Sequence, residues 1–134
     1  MKDAILDTDI LSALMRTKPS VIANVKVYLI EHQQLTFSII TRYEILRGLK
    51  AKKAVKQERI FDRFCQKNII LPITDEIVIK AAEIYANLRI RGELISDADI
   101  FIAASAIIHK LVVVTNNEAH YKRIEGVHIE NWLK

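Results

Sequence analysis

Ala4-Ile5-Leu6-Asp7-Thr8-Asp9 runs from three apolar residues straight into three polar ones, two of them acids. A run this short and uniformly apolar suits a strand buried on both faces, as in parallel sheets. Further runs repeat the pattern: Leu35 to Ile39, Ile69 to Leu71 closed by Pro72, Leu111 to Val114, rich in β-branched residues, and a short last strand from Val127 to Ile129. Helical patterns lie between them. One starts at Thr8 or Asp9 and runs through Leu11, Leu14 and Met15. Pro19 suits the first turn of the next, with Val21, Val25, Tyr28 and Leu29 on one face. Two more cover about Thr41 to Leu49 and Lys52 to Gln66. Thr74 caps a fifth that carries Ile77, Ala81, Ile84, Tyr85 and Leu88, and Ser96 or Asp97 starts a sixth with Ile100, Phe101, Ala103, Ala104 and Ile107. Strands alternating with helices predict an α/β fold of three α/β/α layers, its central, mostly parallel sheet covered on both faces. No linker, repeat or low-complexity segment divides residues 1–134, so one domain is expected.

Composition narrows the function classes. Hydrophobic content of 51% with three glycines argues against disorder. The single Cys65 excludes an internal disulfide and suits a reducing compartment. Asp3, Asp7 and Asp9 stand where a signal peptide needs apolar residues, and the stretch from Ile100 to Ile108 is too short to span a bilayer. The expectation is a soluble, cytoplasmic protein without a membrane partner. Charge is unevenly spread: Arg42 to Lys67 holds nine bases and three acids, +6 of a total of +4. A basic stripe beside an acidic pocket suits a polyanion held next to a cation. Taken alone, such a stripe is more often a solvated helix face.

In sheets of this kind, sites form at the carboxyl ends of strands. Asp7 follows strand one, Glu44 lies a turn into the helix after strand two, and Asn116 and Asn117 follow strand four. Asp97 and Asp99 open the helix that leads into strand four. If Asp7, Glu44 and Asp99 converge, each ionised pair at roughly 5 Å costs about 3 kcal/mol at an effective dielectric of about 20. A fold accommodates that by protonating a carboxylate or by binding a cation. An all-oxygen set selects Mg2+ or Mn2+ over zinc. Each acid also has a plainer reading. Thr41-Arg42-Tyr43-Glu44 matches a capping box, Asp97 could cap its helix, and Asp9 is well placed as an N-cap. Capping does not explain why all four segments reach one sheet edge. No phosphate loop, dinucleotide fingerprint, zinc-protease motif or nucleophile elbow is present, and the four histidines lack ligand spacing.

The ordered set Leu-Asp-Thr-Asp (6–9), Tyr-Glu-Ile-Leu-Arg-Gly (43–48), Asp-Ile-Phe-Ile-Ala-Ala (99–104), Val-Thr-Asn-Asn (114–117) and Glu-Asn-Trp (130–132) resembles the PIN-domain ribonucleases, and among them the VapC-type toxins of toxin–antitoxin operons. The likeness spans the whole chain. It implies that Asp7, Glu44 and Asp99 hold Mg2+ or Mn2+, with Thr8 as the hydroxyl beside the metal. Many relatives carry a fourth acid where this chain has Asn116 and Asn117, which weakens a second metal position. Relatives also place Gly or Pro before the acid that opens the sixth helix. Here Asp99 is preferred for its distance to Ile102-Ala103-Ala104, and Asp97 stays as an alternate or supporting ligand.

The expected activity is therefore endoribonuclease cleavage of RNA, with tRNA as one target, by metal-assisted attack of water on a phosphodiester. That route leaves 5′-phosphate and 3′-hydroxyl ends. Arg42, Arg47, Lys50 and Lys53 are candidates for holding flanking phosphates. The resemblance also implies a homodimer and a cognate VapB-type antitoxin, docking on exposed apolar residues of the helices after Pro19 and Arg42. The rival reading is an RNA-binding module that has lost catalysis. A phosphoacceptor domain fits poorly, because Leu71 is followed by Pro72 and Val114 by Thr115.

Overall fold

The computed structural model describes residues Met1–Lys134. Five strands form one sheet: β1 (Ala4–Leu6), β2 (Thr36–Ser38), β3 (Ile69–Leu71), β4 (Val112–Val114) and β5 (Ile129–Glu130), in the order β3-β2-β1-β4-β5. Every neighbouring pair is parallel, so the sheet is wholly rather than mostly parallel. Leu6 pairs with both Phe37 and Val114, which makes β1 the central strand. The chain builds outward from β1 to β3, then returns to place β4 on the other side of β1. That reversal opens a crevice at the carboxyl ends of β1 and β4.

The connections are α1 (Thr8–Met15), α2 (Pro19–His32), α3 (Ile39–Ala51), α4 (Val55–Lys67), α5 (Asp75–Ile90), α6 (Asp97–His109) and α7 (Glu118–Lys122). Alternation along β1 separates two cores. Ala4 and Leu6 join Phe37, Val112 and Val114 beneath α1 to α4, whereas Ile5 and Val113 face α5 and α6. The helix α6 approaches the sheet through buried Ala103, Ala104, Ser105 and Ala106, where small side chains let backbones come close. No helix is long and apolar enough to cross a membrane.

Local chemistry sets the helix starts. Pro19 occupies the first turn of α2. Thr74 accepts from the Ile77 N–H, and Ser96 rather than Asp97 caps α6 by accepting from the Asp99 N–H. Ser38 caps α3 and starts it at Ile39, two residues before Thr41. Thr41 is consequently a buried helix-interior residue, and the capping box expected for Thr41 and Glu44 does not form. The short helix α7 is an addition that hydrophobic periodicity did not reveal.

Helices α3 and α4 are tied by Arg42. Its Nη1 lies 3.3 Å from Asp62 Oδ1 and 3.1 Å from Cys65 Sγ, and the guanidinium sits 5.7 Å from the centre of the Phe61 ring. Replacing Arg42 with Ala should lower stability to urea by roughly 1–2 kcal/mol, through lost packing and a thiol and carboxylate left unpaired. An unchanged urea midpoint would show that this contact carries nothing.

Candidate active site

The site begins with Asp7, one residue beyond β1. Its N–H continues the ladder by donating to the Val114 carbonyl at 2.9 Å. The carboxylate is 3% exposed. Oδ1 accepts from the Thr8 N–H at 2.6 Å, so Asp7 is the N-cap of α1, and Oδ2 accepts from the Thr115 hydroxyl at 2.8 Å. Thr115 stands one residue beyond β4, as Asp7 stands beyond β1, and is wholly buried. It is fixed in turn by the Asn117 N–H, which donates to its Oγ1 at 2.9 Å.

Asp99 enters from the first turn of α6 and is 9% exposed. Its Oδ2 lies 2.9 Å from His120 Nδ1, and its Oδ1 accepts from the Tyr121 hydroxyl at 3.3 Å. The charges of Asp7 and Asp99 both act on this buried hydroxyl. Asp97, by contrast, is exposed beside Val78, Ala81, Tyr85 and Phe101 in a cleft between α5 and α6. The fold brings Asp99 to Asp7 and leaves Asp97 outside.

Glu44 approaches on α3. Its Oε1 accepts from the Thr8 hydroxyl at 2.7 Å, and that hydroxyl is 3.0 Å from the hydroxyl of Thr41. Thr8 therefore joins the backbone beside Asp7 to Glu44. Asp9 was expected as a plain helix cap; that position belongs to Asp7. Asp9 instead lies in the first turn of α1 and reaches across to the Asn116 N–H, which donates to Oδ2 at 3.0 Å. Its other oxygen is buried and has no partner.

Electrostatics follow from this placement. Burial pushes the Asp7 carboxyl up from 3.8 to about 7, with the charges of Asp9 and Asp99 adding to the rise and the Thr115 bond opposing it. Burial also raises Asp9, against the opposing bond from the Asn116 N–H. The Tyr121 hydroxyl is driven far above its ordinary range, first by burial and then by the charges of Asp7 and Asp99. As the side chains lie, no three acids or histidines stand close enough to enclose a metal ion. The donor set nonetheless suits a hard cation: all oxygens, crowded by like charge, with one buried carboxylate oxygen of Asp9 unpartnered.

The remaining expected residues are spread around this centre. Asn116 and Asn117 are exposed, Asn116 Oδ1 accepting from Asn131 Nδ2 at 3.1 Å. Arg47 is 3.7 Å from Glu44 Oε2 and 5.2 Å from the Tyr43 ring centre, at the edge of the site. Lys50 pairs with Glu58 at 3.1 Å, Lys53 is exposed in a left-handed turn after α3, and Arg42 is committed to α4. Sequence reasoning missed Asp9, Thr115, His120 and Tyr121. The rule that singled out Asp7, a polar residue directly after a buried strand, applies equally to Thr115. The pair His120-Tyr121 gave no such signal.

Comparison with known proteins agrees with this picture. The sequence pattern of the PIN domain matches residues 4–126. The chain is 40% identical over 88 residues to Ribonuclease VapC1 of Methanocaldococcus jannaschii, an alignment covering 66% of this chain and 62% of that protein. It is 30% identical over 130 residues to the tRNA(fMet)-specific endonuclease VapC of Salmonella typhimurium, covering 95% of this chain and 96% of that protein. The fold superposes with a TM-score of 0.86 and 26% identity on a chain of VapBC2 from Rickettsia felis bound to a promoter DNA fragment, covering 96% of this chain and 98% of that one.

Burial favours the neutral form of Asp7. In metal-free protein its contribution to stability is full below its ordinary value of 3.8 and is lost as pH rises through about 7. Between about pH 4 and pH 8 this loss is on the order of 4 kcal/mol. Urea unfolding of metal-free wild type should show that decline, and Asp7→Asn should flatten most of it. Parallel profiles for the two proteins would contradict the assignment.

Proposed function

The chain belongs to the PIN-domain family, as one of its VapC-type endoribonucleases, and from that premise we propose that Asp7, Asp99 and Glu44 form the centre that hydrolyses RNA phosphodiesters with Mg2+ or Mn2+. The observation that carries this reading is the burial of Asp7 and Asp99 near enough for the charge of Asp99 to raise the Asp7 carboxyl, at the crevice where the sheet order reverses. Two acids facing each other out of water are costly unless one is protonated or a cation lies between them. Asp9 adds a third charge and an open oxygen to the same place.

Each residue has a definable task. Thr115 and the Thr8 N–H hold both oxygens of Asp7, so its orientation does not depend on the ligand. The Thr8 hydroxyl holds Glu44 in the same way. A bound Mg2+ or Mn2+ supplies positive charge for the scissile phosphate and a means of deprotonating water near neutral pH. Arg47, at the edge and 59% exposed, is the base best placed to meet a flanking phosphate. Lys53 and the exposed part of Lys50 extend that positive rim along α3. Hydrolysis by water leaves a 5′-phosphate and a 3′-hydroxyl.

The substrate is read as structured RNA of the tRNA class, in keeping with the name of the Salmonella relative. The partner is read as a VapB-type antitoxin, since the chain superposes on one within a VapBC assembly. Apolar side chains left exposed on α2 and α3, among them Val27, Ile30 and Tyr43, support such a docking surface and a homodimer.

Purified protein should cut total RNA with Mg2+ or Mn2+ and fall silent in EDTA. Asp7→Asn and Asp99→Asn should each lower the rate by at least about a hundredfold. Mapping the fragments should find 5′-phosphate ends. Fragments ending in 2′,3′-cyclic phosphate would contradict the water mechanism, and RNA binding without cleavage under either metal would support a module that has lost catalysis.

A further inference from the structure

We infer that His120 and Tyr121 are positioning residues that together aim the Asp99 carboxylate at its cation, an inference that rests on Asp99 being a ligand. Two adjacent residues of α7 take one oxygen each: His120 Nδ1 meets Oδ2 at 2.9 Å and the Tyr121 hydroxyl meets Oδ1 at 3.3 Å. A carboxylate oxygen accepts, so the Nδ1 that faces Oδ2 is read as the nitrogen that donates. Each carboxylate oxygen has about two acceptor positions. The grip uses one on each and leaves the other free for a metal.

The helix that delivers these two groups is itself anchored. Tyr121 is wholly buried in the core formed with Ile5, Ile102 and Ile124. Glu118, at the start of α7, accepts from Asn131 Nδ2 at 3.0 Å and pairs with Lys134 Nζ at 2.7 Å. Asn131 also holds Asn116, whose N–H fixes Asp9. One chain of contacts therefore locks α7, Asp9 and Asp99 together. The plainer reading makes Tyr121 a core aromatic and His120 a surface ion pair. A phenylalanine would fill that core equally well, which makes the hydroxyl separable by experiment.

The test measures Mn2+ affinity by electron paramagnetic resonance of the free ion, together with kcat and KM on total tRNA. Variants are Tyr121→Phe, His120→Ala, His120→Asn and Asp99→Asn, with urea unfolding to verify folding. Asparagine can place its Nδ2 donor near the position of the imidazole Nδ1. Tyr121→Phe and His120→Ala should each weaken Mn2+ binding about tenfold and lower kcat by a similar factor, with KM unchanged. His120→Asn should recover most of both losses. The inference is overturned if Tyr121→Phe and His120→Ala bind Mn2+ and turn over as wild type while Asp99→Asn is inactive, or if His120→Asn rescues nothing. If Asp99→Asn itself binds Mn2+ and cuts like wild type, the assignment of Asp99 fails, and the positioning role with it.

Discussion

The rest of the site depends on the confrontation of Asp7 and Asp99. Both carboxylates are removed from water, and Asp9 adds its charge to theirs. At an effective dielectric of about 20, one such ionised pair at roughly 5 Å costs about 3 kcal/mol, a large part of the margin by which a domain is stable. Packing cannot relieve that cost. A proton on Asp7 or a divalent cation can. In the absence of metal the proton is favoured, which is why Asp7 is neutral at pH values where an ordinary aspartate is ionised.

The architecture that creates this tension also bears it. The sheet reverses its order beside β1, so two buried strands end at one crevice and present Asp7 and Thr115 side by side. The helix α6 reaches the same crevice because its small residues let it lie close to the sheet. Thr8 extends the arrangement to α3 by holding Glu44. Uncharged hydroxyl and backbone N–H donors fix both oxygens of Asp7 and one of Asp9, and none of them neutralises these two acids. The acids are held firmly and left unbalanced, the condition that favours a cation over an internal salt bridge.

Much of this was legible in the sequence. Buried parallel strands announce themselves as short apolar runs, and β3 begins and ends where Ile69-Ile70-Leu71 suggested. The acids at strand ends stood out because polar residues directly after such runs have no place in a core. Three features were hidden. Asp9 looked like a helix cap because caps and ligands use the same side chain; only its reach to the Asn116 backbone separates the roles. Glu44 fitted a capping box until Ser38 started the helix two residues early. His120 and Tyr121 lie in a five-residue helix, too short for a period to emerge. Arg42 illustrates the opposite failure: a charge counted with the basic stripe turned out to be a packing residue against Phe61, Asp62 and Cys65.

The central claim is that a cation takes the place of a proton in this site. Calorimetric titration of metal-free protein with Mn2+, in two buffers of different ionisation enthalpy, counts the protons released on binding. Near pH 6 about one proton should leave per ion bound, and near pH 8.5 almost none, because Asp7 is held up to about 7. Binding that releases no proton at either pH would mean that the acids are already ionised without metal, and would contradict the account.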